Sequence, residues 1–211
     1  LPGTQSGPRH PASFARRLMT EPEPPTIRIG ISSCLLGNEV RFDGGHKRDA
    51  YILGTLARYF TFVPLCPEVA VGLGTPREPM RLVQHPSGVR VNGVKTASLD
   101  VTEPLRAYGE EKGRELRVSG YIFKRASPSC GMFRVKLYKP TGELTGQGQG
   151  AYAQAFLAEQ PLLPAEEEGR LGDPGLRENF VERVFVYERW QRLVASGMTP
   201  RGLVAFHSEH K

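Results

Sequence analysis

The run Ile27-Arg28-Ile29-Gly30-Ile31-Ser32-Ser33 (IRIGISS), closed by Cys34, decides how this chain is read. A short, mostly apolar run of this kind suits a strand buried on both faces, as in a parallel sheet covered by helices. Two further runs share its plan. Thr61–Leu65 (TFVPL) leads straight into Cys66, and Gly120–Phe123 (GYIF) reaches Cys130 after a short loop. In an open α/β sheet the carboxyl ends of parallel strands face one crevice, and ligands bind there. Three thiols are therefore expected at one crevice.

Helical patterns separate these runs. Asp49 is placed to cap a helix to about Phe60, on which Ile52, Leu53, Leu56 and Phe60 share a face. Thr102, followed by Glu103 and Pro104, opens a second helix to about Val118. The alternation implies right-handed crossovers and a Rossmann-like open α/β sheet, mainly parallel, with helices on both faces. Pro76–Val83 and Val89–Val94 read as a short β excursion, with Asn92-Gly93 as its hairpin turn. Arg134–Tyr138 reads as a fourth strand, Gly146–Gly150 (GQGQG) as a flexible loop, and Ala151–Ala158 as a helix. The proline- and acid-rich stretch Pro161–Asp173 (PLLPAEEEGRLGD) reads as a connector. A long helix, Leu176–Ser196, is expected next, with Phe180, Val184, Tyr187, Trp190 (or Gln191) and Val194 along one face; Thr199-Pro200 opens another. The expected plan is a disordered leader over 1–25, an α/β domain over 26–160, a connector over 161–174 and a helical extension over 175–211. That extension is expected to begin a further domain that this chain truncates.

The 211 residues, 39% hydrophobic and 24% charged, are those of a globular chain. No apolar run approaches the roughly 20 residues that cross a bilayer, so no membrane partner is expected. Three cysteines, an odd and low number, argue against a secreted disulfide framework and favour the cytoplasm, where thiols stay reduced. The net charge of +6 and pI near 9.4 allow a polyanionic partner.

The cysteines carry the chemistry. No Cys-x-x-Cys pair of a structural zinc site is present. Dispersed thiolates suit an iron–sulfur cluster, and three ligands on a cubane leave one iron unligated by protein, a Lewis acid open to sulfur or oxygen. A zinc-binding structural domain and buried cysteines with no shared ligand stand as alternatives. Cys66-Pro67-Glu68 sets a carboxylate beside a thiolate, where it suits acid/base work. Ser127-Pro128-Ser129-Cys130-Gly131 is a small-residue loop whose hydroxyls could reach a substrate. Asp43 and His46 could orient substrate or water, and Arg41, Arg77, Arg81, Arg125 and Arg134 could supply positive charge. There is no phosphate-binding Gly-x-x-x-x-Gly-Lys-Ser/Thr loop and no His-Glu-x-x-His.

These residues resemble one family. Ile31–Gly37 (ISSCLLG) with Val40–Gly44 (VRFDG), Pro64–Val69 (PLCPEV) with Pro76–Pro79 (PREP), and Lys124–Gly131 (KRASPSCG) are similar to the three ordered motifs of the TudS-like thiouracil desulfidases. The resemblance implies a [4Fe-4S] cluster on Cys34, Cys66 and Cys130, with one iron not ligated by protein. It implies Glu68 and Ser127 as catalytic residues; Ser33, Asp43, Arg77 and Ser129 are the candidate substrate contacts. The implied reaction is redox-neutral, hydrolytic removal of sulfur from a thiolated pyrimidine, 2-thiouracil or 4-thiouridine. The later stretch Glu166–Phe185 resembles a subgroup fused to a helical domain and linked to tRNA, which makes tRNA an implied partner through that domain. A cluster-based sensor or binding module without turnover is the alternative in a different class.

Overall fold

Ile27, Ile29 and Ile31 are buried, and so are Gly30 and Ser32 between and beyond them, as a central strand covered on both faces requires. The computed structural model describes residues 27–210; the leader expected over 1–25 lies outside them. In chain order the strands are β1 (Ile27–Ser32), β2 (Phe60–Leu65), β3 (Met80–His85), β4 (Gly88–Gly93), β5 (Gly120–Phe123), β6 (Val135–Tyr138), β7 (Leu144–Gly148) and β8 (Ala165–Glu167). The helices are α1 (Ala50–Gly54), α2 (Pro67–Ala70), α3 (Thr102–Glu115), α4 (Ala151–Glu159), α5 (Pro174–Ala195) and α6 (Pro200–Glu209).

One sheet has the order β2-β1-β5-β8 with every pair parallel. The chain steps from β1 outward to β2, then returns past β1 to β5 and β8. The order reverses between β1 and β5, and the crevice above that point is where such sheets bind ligands. Ile52 and Leu56, with Phe180 and Val184 of α5, pack on Ile27, Ile29 and Ile31. Tyr152 and Phe156 of α4 pack with Tyr121, Phe123 and Leu65 in a separate cluster. Gly30 lets β1 lie against Tyr121, since a Cβ there would stand 2.4 Å from the tyrosine ring.

The second sheet has the order β4-β3-β6-β7. It consists of two antiparallel hairpins joined by parallel pairing of β3 with β6, at Leu82↔Leu137 and Val83↔Tyr138. The first hairpin is inserted between β2 and α3, the second between β5 and α4. Leu82, Val91 and Leu137 pack with Val101, Leu105 and Ala151. The strand expected over Arg134–Tyr138 therefore belongs to this sheet and not to the first.

Several expectations change. Asn92-Gly93 is not the hairpin turn: the pair His85↔Gly88 brackets Pro86-Ser87, and Gly88 takes φ +114°. Asn92 is buried in β4 and donates through Nδ2 to the Ala97 carbonyl at 3.1 Å. Gly93 serves close approach, because a Cβ would lie 2.7 Å from the Thr96 carbonyl oxygen. The stretch Gly146–Gly150 is not a free loop, since β7 runs to Gly148 and pairs with β6. Pro161–Asp173 is more than a connector: β8 lies within it and extends the first sheet beside β5, with Glu166 and Glu167 buried. The helix expected from Asp49 to Phe60 divides at Gly54-Thr55 into α1 and a short 3-10 turn over Leu56–Arg58, although Asp49 does cap it, accepting from the Ile52 N–H at 2.9 Å. The helix opened by Thr102 stops at Glu115, short of Val118. Asp173 and Thr199 cap α5 and α6. No helix among the described residues is long and apolar enough to cross a membrane.

Candidate functional site

Cys34 lies in a 3-10 turn, Ser33–Leu36, that starts where β1 ends and is closed by Gly37 at φ +98°. Cys66 follows β2 and stands at the N-cap of α2, with Pro67 in that helix's first turn, where a missing N–H costs nothing. Cys130 sits in the loop after β5. Ser127 organises that loop: its Oγ accepts from the Cys130 N–H at 3.1 Å, and its carbonyl accepts from the Gly131 N–H at 2.9 Å. A Cβ at Gly131 would strike Val135, and one at Gly150 would lie 2.5 Å from the Ser129 carbonyl oxygen. All three cysteines line one cavity of ≈ 350 Å³ at the carboxyl ends of β1, β2 and β5.

Burial pushes the Cys34 thiol up to about 11, against the opposing charges of Lys124 and Arg41. Burial likewise raises Cys66 and Cys130, and at Cys130 the negative charges of Glu68 and the other two thiols add to it. Cys34 and Cys130 are buried and Cys66 half-buried, so all three hold their protons more tightly than a free thiol, and a bound cation would favour their ionised forms. Among the described residues no three His, Cys, Asp or Glu side chains lie close enough to share a single metal ion. Thiols that share a cavity but not a common atom, with no imidazole among them, fit an iron–sulfur cluster better than one zinc ion.

Beside the thiols stands a polar chain. Glu68 is ion-paired with Arg77, whose Nε donates to Oε2 at 3.0 Å and whose Nη2 also reaches that oxygen. Arg77 Nη2 donates to the Val40 carbonyl at 2.9 Å and Nη1 to the Gly74 carbonyl at 2.7 Å. Ser129 Oγ donates to Glu68 Oε1 at 2.5 Å, and the Ser127 and Ser129 hydroxyls are 3.0 Å apart. The carboxylate can thus exchange a proton along Ser129 and Ser127 into the cavity.

Cys34, Cys66, Cys130, Glu68, Ser33, Ser127, Ser129, Arg77, Arg41 and Arg125 all line this cavity. Within it, Ser33 Oγ already accepts from Asn38 Nδ2 at 2.7 Å. Arg77, expected as a substrate contact, donates to Glu68, to two carbonyls and to the Thr75 hydroxyl. Asp43 does not line the cavity; its carboxylate accepts from the Gly45 N–H at 3.1 Å and pairs with Arg41. His46 turns to the Arg48 N–H, and Arg81 lies over Tyr138 in the second sheet. Neither these two nor Arg134 lines the cavity. No role was expected for Lys47 and Lys124, which also line it, or for Ser32, which accepts from the Lys124 N–H at 2.9 Å and draws the Cys130 thiol down against the burial that raises it. Lys124 directly follows the β5 run, the signal that would have found it.

Comparison with known proteins identifies relatives of this chain. A protein of Bacillus subtilis (strain 168), the uncharacterized protein YbbK, is 37% identical over 111 residues, which is 49% of this chain and 72% of that protein. The solved structure of the [4Fe-4S]-dependent thiouracil desulfidase TudS superposes with a TM-score of 0.56 at 29% identity, covering 74% of this chain and 99% of TudS. The profile of the 2-thiouracil desulfurase family matches residues 29–168, a span that holds all three cysteines, Glu68 and both serines. The chain belongs to the 2-thiouracil desulfurase family.

Proposed function

We propose that this chain is a [4Fe-4S]-dependent desulfidase that removes sulfur from a thiolated pyrimidine by redox-neutral hydrolysis. The observation that carries this reading is the convergence of three thiols and the Glu68–Ser129–Ser127 chain on one cavity above the switch point. Bound through Cys34, Cys66 and Cys130, the cluster would supply an iron not ligated by protein, a Lewis acid with affinity for soft sulfur. The chain's own residues manage water and protons. Arg77 holds Glu68 in place, and Glu68 takes a proton from water through Ser129, acting as general base. Ser127 fixes the Ser129 hydroxyl and the Cys130 amide together. Glu68 then returns the proton toward the departing sulfur. The carbon–sulfur double bond gives way to a carbon–oxygen one, both protons of water leave with sulfur as hydrogen sulfide, and no electrons are exchanged.

The substrates in this reading are 2-thiouracil and 4-thiouridine, the latter as nucleoside or in tRNA. The cavity lies near the small end of ligand pockets, about 300–1,000 Å³. That favours a single base, flipped out where it comes from RNA. Arg41, Lys47 and Arg125 at the cavity, and the net charge of +6, support phosphate contacts. The cytoplasm, which keeps thiols reduced, suits the site.

The test is iron and acid-labile sulfide on anaerobically reconstituted protein, followed by sulfide release from 2-thiouracil and 4-thiouridine. About four of each per chain with turnover is expected. Glu68→Gln is expected to keep its iron and lose about a hundredfold or more of the rate. Iron without turnover of any thiobase would leave a sensor, and stoichiometric zinc would leave a structural domain.

A further inference from the structure

The acidic run Glu166-Glu167-Glu168 is an unusual ending for an edge strand of a parallel sheet. Glu166 and Glu167 lie in β8, where Ile122 pairs with Glu166 and Phe123 with Glu167. Glu167 is only 5% exposed, yet no Lys, Arg or His nitrogen among the described residues lies within 4.0 Å of its carboxylate. Burying a carboxylate without a cation is costly unless hydrogen bonds satisfy it. The donors are two consecutive backbone amides: Met132 N–H at 2.8 Å and Phe133 N–H at 3.1 Å, both to Oε1. These are the second and third residues after Cys130.

Glu168 does the complementary work at the other end of the same loop. Its Oε2 accepts from the Arg125 N–H at 2.7 Å, and its Oε1 pairs with Lys124 Nζ. Lys124 and Arg125 are the first residues after β5, and both line the cavity. Neighbouring residues reinforce the two grips. Arg170 pairs with Glu166 at 2.7 Å and lies over the Phe133 ring, and Gly169 leaves room for the Arg125 side chain, which a Cβ would meet at 2.5 Å. One carboxylate thus holds the entry, and the next holds the exit, of the loop that carries Ser127, Ser129 and Cys130.

We infer that Glu167 and Glu168 are positioning residues of the site, clamping the Lys124–Phe133 loop at both ends so that Ser129 meets Glu68 and Cys130 faces the cavity. This rests on the desulfidase reading for its consequence in turnover, but its geometry can be tested without it. In metal-free protein, Glu167→Ala is expected to speed amide hydrogen exchange at Met132 and Phe133 by about tenfold or more. Ile29 and Ile31 amides in β1 should be unchanged. Glu168→Ala should do the same at Arg125. Glu167→Gln, which keeps an acceptor oxygen, should restore protection at Met132 and Phe133. On reconstituted protein, Glu167→Ala is expected to lower kcat about tenfold with KM for 2-thiouracil within about twofold, and Glu167→Gln to recover most of it. Unchanged exchange at Met132 and Phe133 in Glu167→Ala overturns the inference, as does equal acceleration in β1, or a glutamine variant as impaired as the alanine. Wild-type protein that takes up iron but releases no sulfide overturns the reading on which the turnover arm rests, and that result is separate from the exchange result.

Discussion

Replacing Arg77 with methionine removes the cation from a nearly buried pair while keeping most of the apolar stem. The Arg77 and Glu68 side chains are 6% and 15% exposed, so solvent screens them little. Removing one partner of a buried pair costs about 3–5 kcal/mol, because the other charge is left desolvated and unpaired. Glu68 keeps its bond from Ser129, and water can replace the lost donors at the Gly74 carbonyl, which together place the cost near the lower end, about 3 kcal/mol. At about 2–4 °C per kcal/mol for a chain of this size, Tm should fall by about 6–12 °C. Glu68→Gln is milder, since the amide oxygen can still accept from Arg77 while its NH2 donates to the Ser129 hydroxyl, which can accept, and Arg77 keeps two carbonyls; about 1–2 kcal/mol is expected. The double variant should cost less than the two together, with a coupling of about 1.5 kcal/mol or more. The assay is urea unfolding of the metal-free single and double variants by circular dichroism, compared at equal m-values. A coupling within about 0.5 kcal/mol of zero would refute the claim that the pair is a unit.

Three further outcomes follow from other parts of the structure. Serine at Cys34, Cys66 or Cys130 should abolish retention of iron after desalting, and a variant that keeps a full complement would remove that residue from the ligand set. Gly150→Ala should cost about 1–3 kcal/mol and lower iron retention, because its Cβ meets the Ser129 carbonyl, backbone that cannot swing aside; wild-type stability and iron content would show the contact is not tight. At Asp100, burial opposes ionisation, but the Thr102 hydroxyl and N–H at 2.5 and 2.9 Å, with Arg90, hold the carboxyl below its usual range. The folded form therefore gains stability above the unfolded value of about 3.9 and loses it as pH falls through the lower folded value. Asp100→Asn should flatten the acid limb of a stability–pH curve below about pH 4, and an unchanged limb would refute the assignment.

The parts of the fold legible from sequence were those whose signal is local. Apolar runs marked β1, β2 and β5, and Asp49, Thr199 and the Thr102 region marked helix starts within a residue or two. Each cysteine could be placed at a strand end because the strands themselves were plain. What escaped was non-local. Asn92-Gly93 has the composition of a turn, yet a Cβ at Gly93 would meet Glu78, brought there by the pairing of β3 with β4, and the Thr96 carbonyl. The GQGQG stretch looks flexible, but β6 pairs with it and Gly150 makes way for Ser129. Three consecutive glutamates carry no strand signal; Glu167 and Glu168 find their amides and cation on a loop some forty residues earlier, and Glu166 finds Arg170. The site shows the same division. Glu68 and the serines, read from their adjacency to cysteines, do line the cavity, whereas the pairing of Arg77 with Glu68 depends on a fold-back that no local signal marks. Asp43, read as a substrate contact from its motif, instead closes its own loop against Gly45.

The second sheet explains why the Glu68–Ser129 contact can exist. Glu68 and Arg77 stand before β3, while Ser129 and Cys130 stand before β6. These segments leave the first sheet from β2 and β5, which are not neighbours, since β1 lies between them. Nothing in the first sheet holds their loops to each other above β1. The parallel pairing of β3 with β6 does, at Leu82↔Leu137 and Val83↔Tyr138, just beyond both loops. A hairpin inserted in each of the two crossovers therefore works as a brace across the crevice. The brace fixes the carboxylate from one side to the hydroxyl from the other, and Glu167 in β8 with Glu168 just beyond it hold the second loop. Had the hairpins been ornaments on separate loops, no strand pairing would tie Glu68 to Ser129. Their union holds the loops of the switch point around one cavity.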